Sequence, residues 1–334
     1  MLCGTMPTEQ LPLFPDADAV DPAPPDAAVA ATARALDPRI RLGTSSWAFP
    51  GWTGLVYAAR AGRPVPEQSL ARHGLAAYAA HPLMRTVSLD RTFYAPLATA
   101  EYARYAGQVP QGFRFVVKAP AAITDPVVRR PGAGEPLRDN PLFLDAAAAT
   151  ASFVRPVVEG LGDRAGPLVF QFPPLGSRLL ADGRRLAARI AAFFSVLPRG
   201  PLYAVEVRDP QLASTALARG LDDAGVAACL AVHARMPPVA DQAAVFTPPA
   251  ADRRLPLVVR WNLHAGRGYE EAKAAFFPFD RLVQEDRPGR SALAALARDA
   301  AAAGRDVFIT INNKAEGSAP LSVLRLAEAI TRSS

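Results

Sequence analysis

LYAVEVRDP, Leu202–Pro210, is the stretch from which the fold can be read. Side chains alternate across an extended strand. Ala204, Glu206 and Arg208 therefore share one face, and Tyr203, Val205 and Val207 the other. Both faces are apolar until the carboxyl end, where Glu206, Arg208 and Asp209 arrive together. A buried parallel strand that delivers polar groups to a site has this pattern, whereas an Arg–Glu pair that merely closes a strand end is the plainer alternative.

Seven further apolar runs resemble it: Arg39–Trp47, Thr86–Leu89, Phe113–Lys118, Leu168–Phe172, Ala227–Val232, Leu257–Arg260 and Val307–Ile311. Helical spacing fills nearly every interval, over Ser69–Ala80, Thr99–Gly107, Leu142–Leu161, Leu186–Leu197, Ala213–Ala224, Ser291–Ala303 and Leu321–Ile330. Alternating βα units call for a parallel sheet with right-handed crossovers, and eight of them call for closure. The predicted fold is α/β, a single (β/α)8 TIM-like barrel over residues 39–332. A doubly wound open sheet is the rival, but GTSSW after the first strand lacks the glycine-rich dinucleotide turn. Residues 1–38, rich in Pro, Ala and Asp, read as a mobile, disordered N-terminal extension holding one short helix at Ala27–Leu36. The connection from Ala119 to about Asn140 reads as irregular, Asn262–Pro288 is a second long connection, and Val245–Thr247 reads as a short extra strand.

The formal charge is +6. Residues 1–40 hold six acids against Arg34 and Arg39, a net of −4, which leaves about +10 on the remainder. A basic body admits a polyanion partner. Here, however, the cations are scattered arginines without runs longer than two, so drift of composition is the simpler source. Cys3 and Cys229 stand apart and support neither a disulfide framework nor a zinc site. No stretch approaches the ~20 apolar residues that span a bilayer, and the first residues lack a secretory pattern. The expectation is a cytoplasmic protein without a membrane partner.

In a barrel of this kind the carboxyl ends of the strands converge on one mouth. There the sequence places Trp47, Asp90, Tyr94, Lys118, Gln171, Glu206, Arg208, Asp209, Arg260, Asn312 and Asn313, with His233 and Asn262 at two further strand ends. Arg208, Arg260 and Lys118 suit an anion, the amides suit orientation, and Trp47 offers a wall for stacking. Glu206 is the candidate general acid or base. Carboxylates and histidines are too few for the usual metal sets, and the phosphate-loop, nucleophile-elbow and zinc-protease motifs are missing, so no metal and no cofactor are expected.

Six phrases, GTSSWAFPGW (Gly43–Trp52), TFY (Thr92–Tyr94), FVVKAP (Phe115–Pro120), VFQFPP (Val169–Pro174), AVEVRDP (Ala204–Pro210) and FITINNKAEGSAP (Phe308–Pro320), together resemble the YecE-like family. This is a bacterial domain of unknown function, numbered seventy-two, whose members look like single (β/α)8 barrels. The resemblance covers roughly Ile40–Ile330. It implies glutamate, asparagine and serine where this chain has Ser88, Asp90 and Arg91, and histidine where it has Asp209. It also implies a strand-seven ending of the form R-x-H-G, whereas Arg260 is followed here by Trp261, Asn262 and Leu263. The resemblance implies a fold and a pocket but no reaction. Three readings stand. One is a metal-independent hydrolase, lyase or isomerase acting on a small anionic or sugar-phosphate-like molecule. The others are a non-catalytic small-ligand barrel and a nucleic-acid-associated or nucleotide-processing protein.

Overall fold

In the computed structural model, residues 19–129, 136–246, 255–264 and 266–332 are described. The strands in chain order are β1 (Ile40–Thr44), β2 (Thr86–Leu89), β3 (Arg114–Lys118), β4 (Val127–Arg129), β5 (Pro136–Asp139) and β6 (Ala165–Gln171). They continue as β7 (Tyr203–Glu206), β8 (Ala227–Val232), β9 (Leu257–Trp261) and β10 (Val307–Ile311). β4 and β5 pair with each other, antiparallel. The other eight are parallel neighbours in chain order and form a closed barrel, β10 meeting β1 from Ile40↔Val307 to Thr44↔Ile311. Each of the eight expected strand segments falls on one of these barrel strands.

Alternation divides the core in two. Tyr203, Val205 and Val207 face outward into the main apolar cluster with Phe153, Phe170, Phe193 and Phe194, whose rings meet edge to face. The opposite faces of the strands supply a smaller cluster, Val116, Val169, Ala204, Ala227, Cys229, Val258 and Phe308, which fills the lumen. β1 can lie against β2 because residue 43 is glycine; a Cβ there would sit 1.8 Å from the Thr86 carbonyl oxygen.

Local chemistry sets several boundaries away from where periodicity alone puts them. The segment expected as one helix, Leu142–Leu161, starts only at Ala146, where the Asp145 side chain accepts from the Ala148 N–H at 2.9 Å. It then widens into a π turn over Thr150–Val154 before Arg155–Leu161. Pro156 accounts for the widening, since it has no N–H to give and its ring crowds the preceding turn. Helix Arg287–Ala302 stops as expected near Gly304, whose φ of +75° a glycine adopts freely.

The N-terminal segment is described from residue 19, and its later part is held on the barrel. Ala23 N–H donates to the Val56 carbonyl and Ala58 N–H to the Asp21 carbonyl, each at 2.9 Å. Helix Ala27–Ala35 is capped by Asp26, and the Arg85 guanidinium takes the carbonyls of Ala33, Asp37 and Ile40 at its far end. The connection after β3 is partly ordered by helix Ala121–Thr124 and the β4–β5 pair. Asn140 Nδ2 ties it by donating to the carbonyls of Ala122 and Asp125. Helix Tyr269–Phe276 occupies the second long connection. Val245 and Phe246 end helix Val239–Phe246 instead of forming a strand, and Thr247 lies outside the described residues. No helix among the described residues is long and apolar enough to cross a membrane.

Candidate active site

Residues two apart on a strand share a face, so the lumen can be followed upward from its apolar cluster. One pleat above Val116, Val169, Ala204 and Val258 come Lys118, Gln171, Glu206 and Arg260. The lumen thus turns from hydrocarbon to charge in a single step. Above lies a cavity of about 480 Å³. Asp90, Tyr94, Lys118, Gln171, Arg208, His233, Arg260, Asn262 and Asn312, nine of the thirteen residues expected at the strand ends, line it.

Its floor rests on a chain of ion pairs. Glu206 is fully buried, with Oε2 2.7 Å from Arg260 Nη1 and Oε1 against Arg208 Nη2. Asn262 Nδ2 approaches the same Oε1 at 3.4 Å. Arg260 Nη2 reaches Asp90 Oδ2 at 2.7 Å, and Ser88 Oγ donates to Asp90 Oδ1 at 2.6 Å. The network therefore crosses the lumen from β2 through β9 to β7 and on to Arg208. Burial by itself would raise the Glu206 carboxyl; Arg208 and Arg260, with Lys118 behind them, outweigh it and hold the group below its ordinary 4.5. For Arg260, burial pulls the other way, but Asp90 and Glu206 more than restore its charge.

The walls differ in character. Lys118 Nζ stands 3.6 Å over the Phe93 ring, and burial followed by the charge of Arg260 pulls its amine from 10.5 to about 8. His233 also lines the cavity; burial first, then Arg208, lowers it to about 4, so it is neutral at pH 7. Its Nδ1 accepts from the Arg235 N–H at 3.1 Å, which leaves Nε2 to carry the proton. At the rim Tyr94 is 87% exposed and Tyr269 57%, two aromatic faces at one opening.

Four expected residues do not line this cavity. Trp47 is core: its Nε1 donates to the Leu70 carbonyl at 3.0 Å, and its ring meets Tyr105 edge-on. Asp209 Oδ2 accepts from the Leu175 N–H at 2.8 Å and so ties down the loop after β6. Asn313 Oδ1 accepts from Trp52 Nε1 at 3.1 Å and from the Ala319 N–H at 2.9 Å. Glu206 lies beneath the floor with both oxygens engaged. Conversely, Arg235 and Tyr269 enter the lining from connections, where no strand period points to them. Among the described residues no group of three or more His, Cys, Asp or Glu could hold a metal ion.

The family model for the "Protein of unknown function DUF72" matches residues 41–334. A solved DUF72 family protein from Enterococcus faecalis V583 superposes with a TM-score of 0.58 at 16% identity, over 88% of this chain and 96% of that one. A second, from Thermotoga maritima MSB8, gives 0.55 at 18% identity, over 88% and 99%. At such identities the likeness speaks for the fold. No match was found among the curated proteins. With the family model spanning nearly the whole barrel, the chain belongs to the DUF72 family.

Proposed function

We propose that this barrel is an enzyme for a small anionic molecule, held at its carboxyl-end mouth without a metal. One observation carries the reading. Among the described residues four cationic side chains, Lys118, Arg208, Arg235 and Arg260, line the cavity, and Asp90 is the one carboxylate in that lining. Even with Glu206 counted beneath the floor, positive charge is in surplus. In a partly dry pocket that surplus favours an anion far more than it would on an open surface. Arg208 takes the anionic end, the amides of Gln171, Asn262 and Asn312 orient its neighbour, and Tyr94 and Tyr269 flank the part nearest solvent. Glu206 acts in this reading as the ionised counter-charge that positions two arginines. Asp90, which faces the cavity, is the carboxylate available for proton transfer.

A thermal-shift series with inorganic phosphate, 2-phosphoglycolate, sugar phosphates and a short oligonucleotide tests it. A ligand at 100 times its Kd adds about 2.7 kcal/mol. The expected result is a shift from the small phosphates that Arg208→Ala abolishes. Stabilisation by the oligonucleotide alone, fading steeply with salt, would instead mark a nucleic-acid protein.

A further inference from the structure

The chain has 37 basic residues, of which only three, Lys118, Lys273 and Lys314, are lysine. Lysine is thus the rare cation of this chain, and its chemistry differs from that of arginine. For gripping an anion arginine serves better, with five donors in a fixed fork; what lysine alone can supply is a deprotonated amine. One of the three stands on the cavity wall at the end of β3. The nearby carboxylates are already taken, Asp90 by Arg260 and Glu206 by both arginines. No ion pair or hydrogen bond to Lys118 Nζ is present among the described residues, and its contact is the Phe93 ring at 3.6 Å. Beneath it are Val116 and Val169 of the lumen.

We infer that Lys118 is a covalent catalyst: its amine condenses with the aldehyde or ketone of a substrate whose phosphate or carboxylate is held by Arg208. The inference rests on the anion reading above and adds a substrate class, anionic carbonyl compounds. An amine lowered to about 8 is uncharged in a useful fraction of molecules near neutrality, as a nucleophile requires. The nitrogen lone pair forms a C–N bond to the carbonyl carbon, and the C=O π pair moves to oxygen. That oxygen takes the proton shed by nitrogen, giving a carbinolamine. A second proton, from solvent, lets the oxygen leave as water while the nitrogen pair closes the C=N bond of an iminium. The balance is amine, carbonyl and one proton going to iminium and water, with no oxidant or reductant. Such an iminium draws electrons from the adjacent carbon, the step that lyases and isomerases of this kind need.

The experiment treats the full chain with glycolaldehyde phosphate or with uncharged glycolaldehyde, adds sodium cyanoborohydride, and maps tryptic peptides by mass spectrometry. Modification of Lys118 blocks cleavage there and yields the joined peptide Phe115–Arg129. The phosphorylated aldehyde should label Lys118 at least tenfold faster than Lys273 or Lys314, with a rate that rises with pH through about 8. 2-Phosphoglycolate should protect, and Arg208→Ala should reduce labelling to the rate with glycolaldehyde. Lys118→Arg should abolish the adduct yet keep the 2-phosphoglycolate shift, with Lys118→Met as the uncharged check on folding. Equal labelling of the three lysines, or a 2-phosphoglycolate shift without a Lys118 adduct, overturns the covalent role and leaves the anion site standing. A Lys118 adduct with either aldehyde but no protection by 2-phosphoglycolate overturns the anion reading instead.

Discussion

Replacing Glu206 by glutamine exposes the role of the floor more sharply than any other single change. Glutamine has the same shape, so packing is preserved. One carboxylate oxygen becomes an NH2 group, however, and whichever arginine it faces then meets a donor instead of an acceptor. The structure assigns Glu206 two charge-assisted bonds, to Arg208 and to Arg260, with no solvent to replace either. Each such bond is worth about 1.5–3 kcal/mol, and removing one partner of a buried pair costs about 3–5 kcal/mol. We expect Glu206→Gln to lose that amount in urea unfolding followed by far-UV circular dichroism. At roughly 2 °C per kcal/mol for a large domain, Tm should fall by about 6–10 °C. The pH dependence carries a sign. Because the folded carboxyl lies below 4.5, its contribution is complete above that value and drains away as pH falls through the folded value. The gap between wild type and Glu206→Gln should therefore be flat near neutrality and close in acid. A double-mutant cycle with Arg260→Gln should return a coupling above about 1 kcal/mol. A loss under about 1 kcal/mol, or a gap that stays open in acid, would refute the assignment of Glu206 as an ionised counter-charge.

Lys118→Met should be at least as stable as wild type at pH 7, because it removes a charge that burial disfavours. The folded amine releases its proton near 8 and the unfolded one near 10.5, so wild-type stability gains on the variant across that window; unfolding at pH 7, 8.5 and 10 checks the trend. Asn313→Ala strips the acceptor from the Trp52 indole and the Ala319 N–H, and should cost about 2–5 kcal/mol in urea unfolding while leaving anion affinity unchanged. Weakened binding in that variant would return Asn313 to the site. Gly43→Ala forces β1 away from the Thr86 carbonyl and should cost about 3 kcal/mol or more, or leave no soluble protein; a fully stable variant would contradict the close approach.

The barrel was legible because eight segments repeat one physical statement, an apolar strand that ends in polar residues. Tyr203, Val205 and Val207 read as one face and Ala204, Glu206 and Arg208 as the other, and the structure sends those faces to the helices and the lumen. Pleat position was harder to read than strand identity. Glu206 and Arg208 are one step apart in sequence pattern, yet one lies under the floor and the other lines the wall. Trp47, Asp209 and Asn313 sit at strand ends as well, but their polar atoms answer to local backbone: a carbonyl, an N–H, and a cap with an indole. Nothing in residue type distinguishes that duty from binding. Tyr269 and Arg235 arrive from connections, whose course depends on tertiary packing and leaves no period in the chain.

The salt-linked layer also constrains how this site can change over evolutionary time. Ser88, Asp90, Arg260, Glu206 and Arg208 are joined in series, so exchanging Arg260 alone would leave Asp90 without its ion pair and Glu206 with one of its two. Exchanges that come in matched pairs avoid that penalty. The family resemblance expects a glutamate at position 88 and an asparagine at 90, whereas this chain has serine and aspartate. Position 88 lies on β2, and Asp90 opens the turn that follows the strand, Asp90–Phe93. In this chain the carboxylate stands at the level of the cavity wall, where it meets Arg260 at 2.7 Å. Against the pattern that the resemblance implies, the paired exchange at 88 and 90 leaves the layer with one carboxylate from this edge, the one that Arg260 meets here.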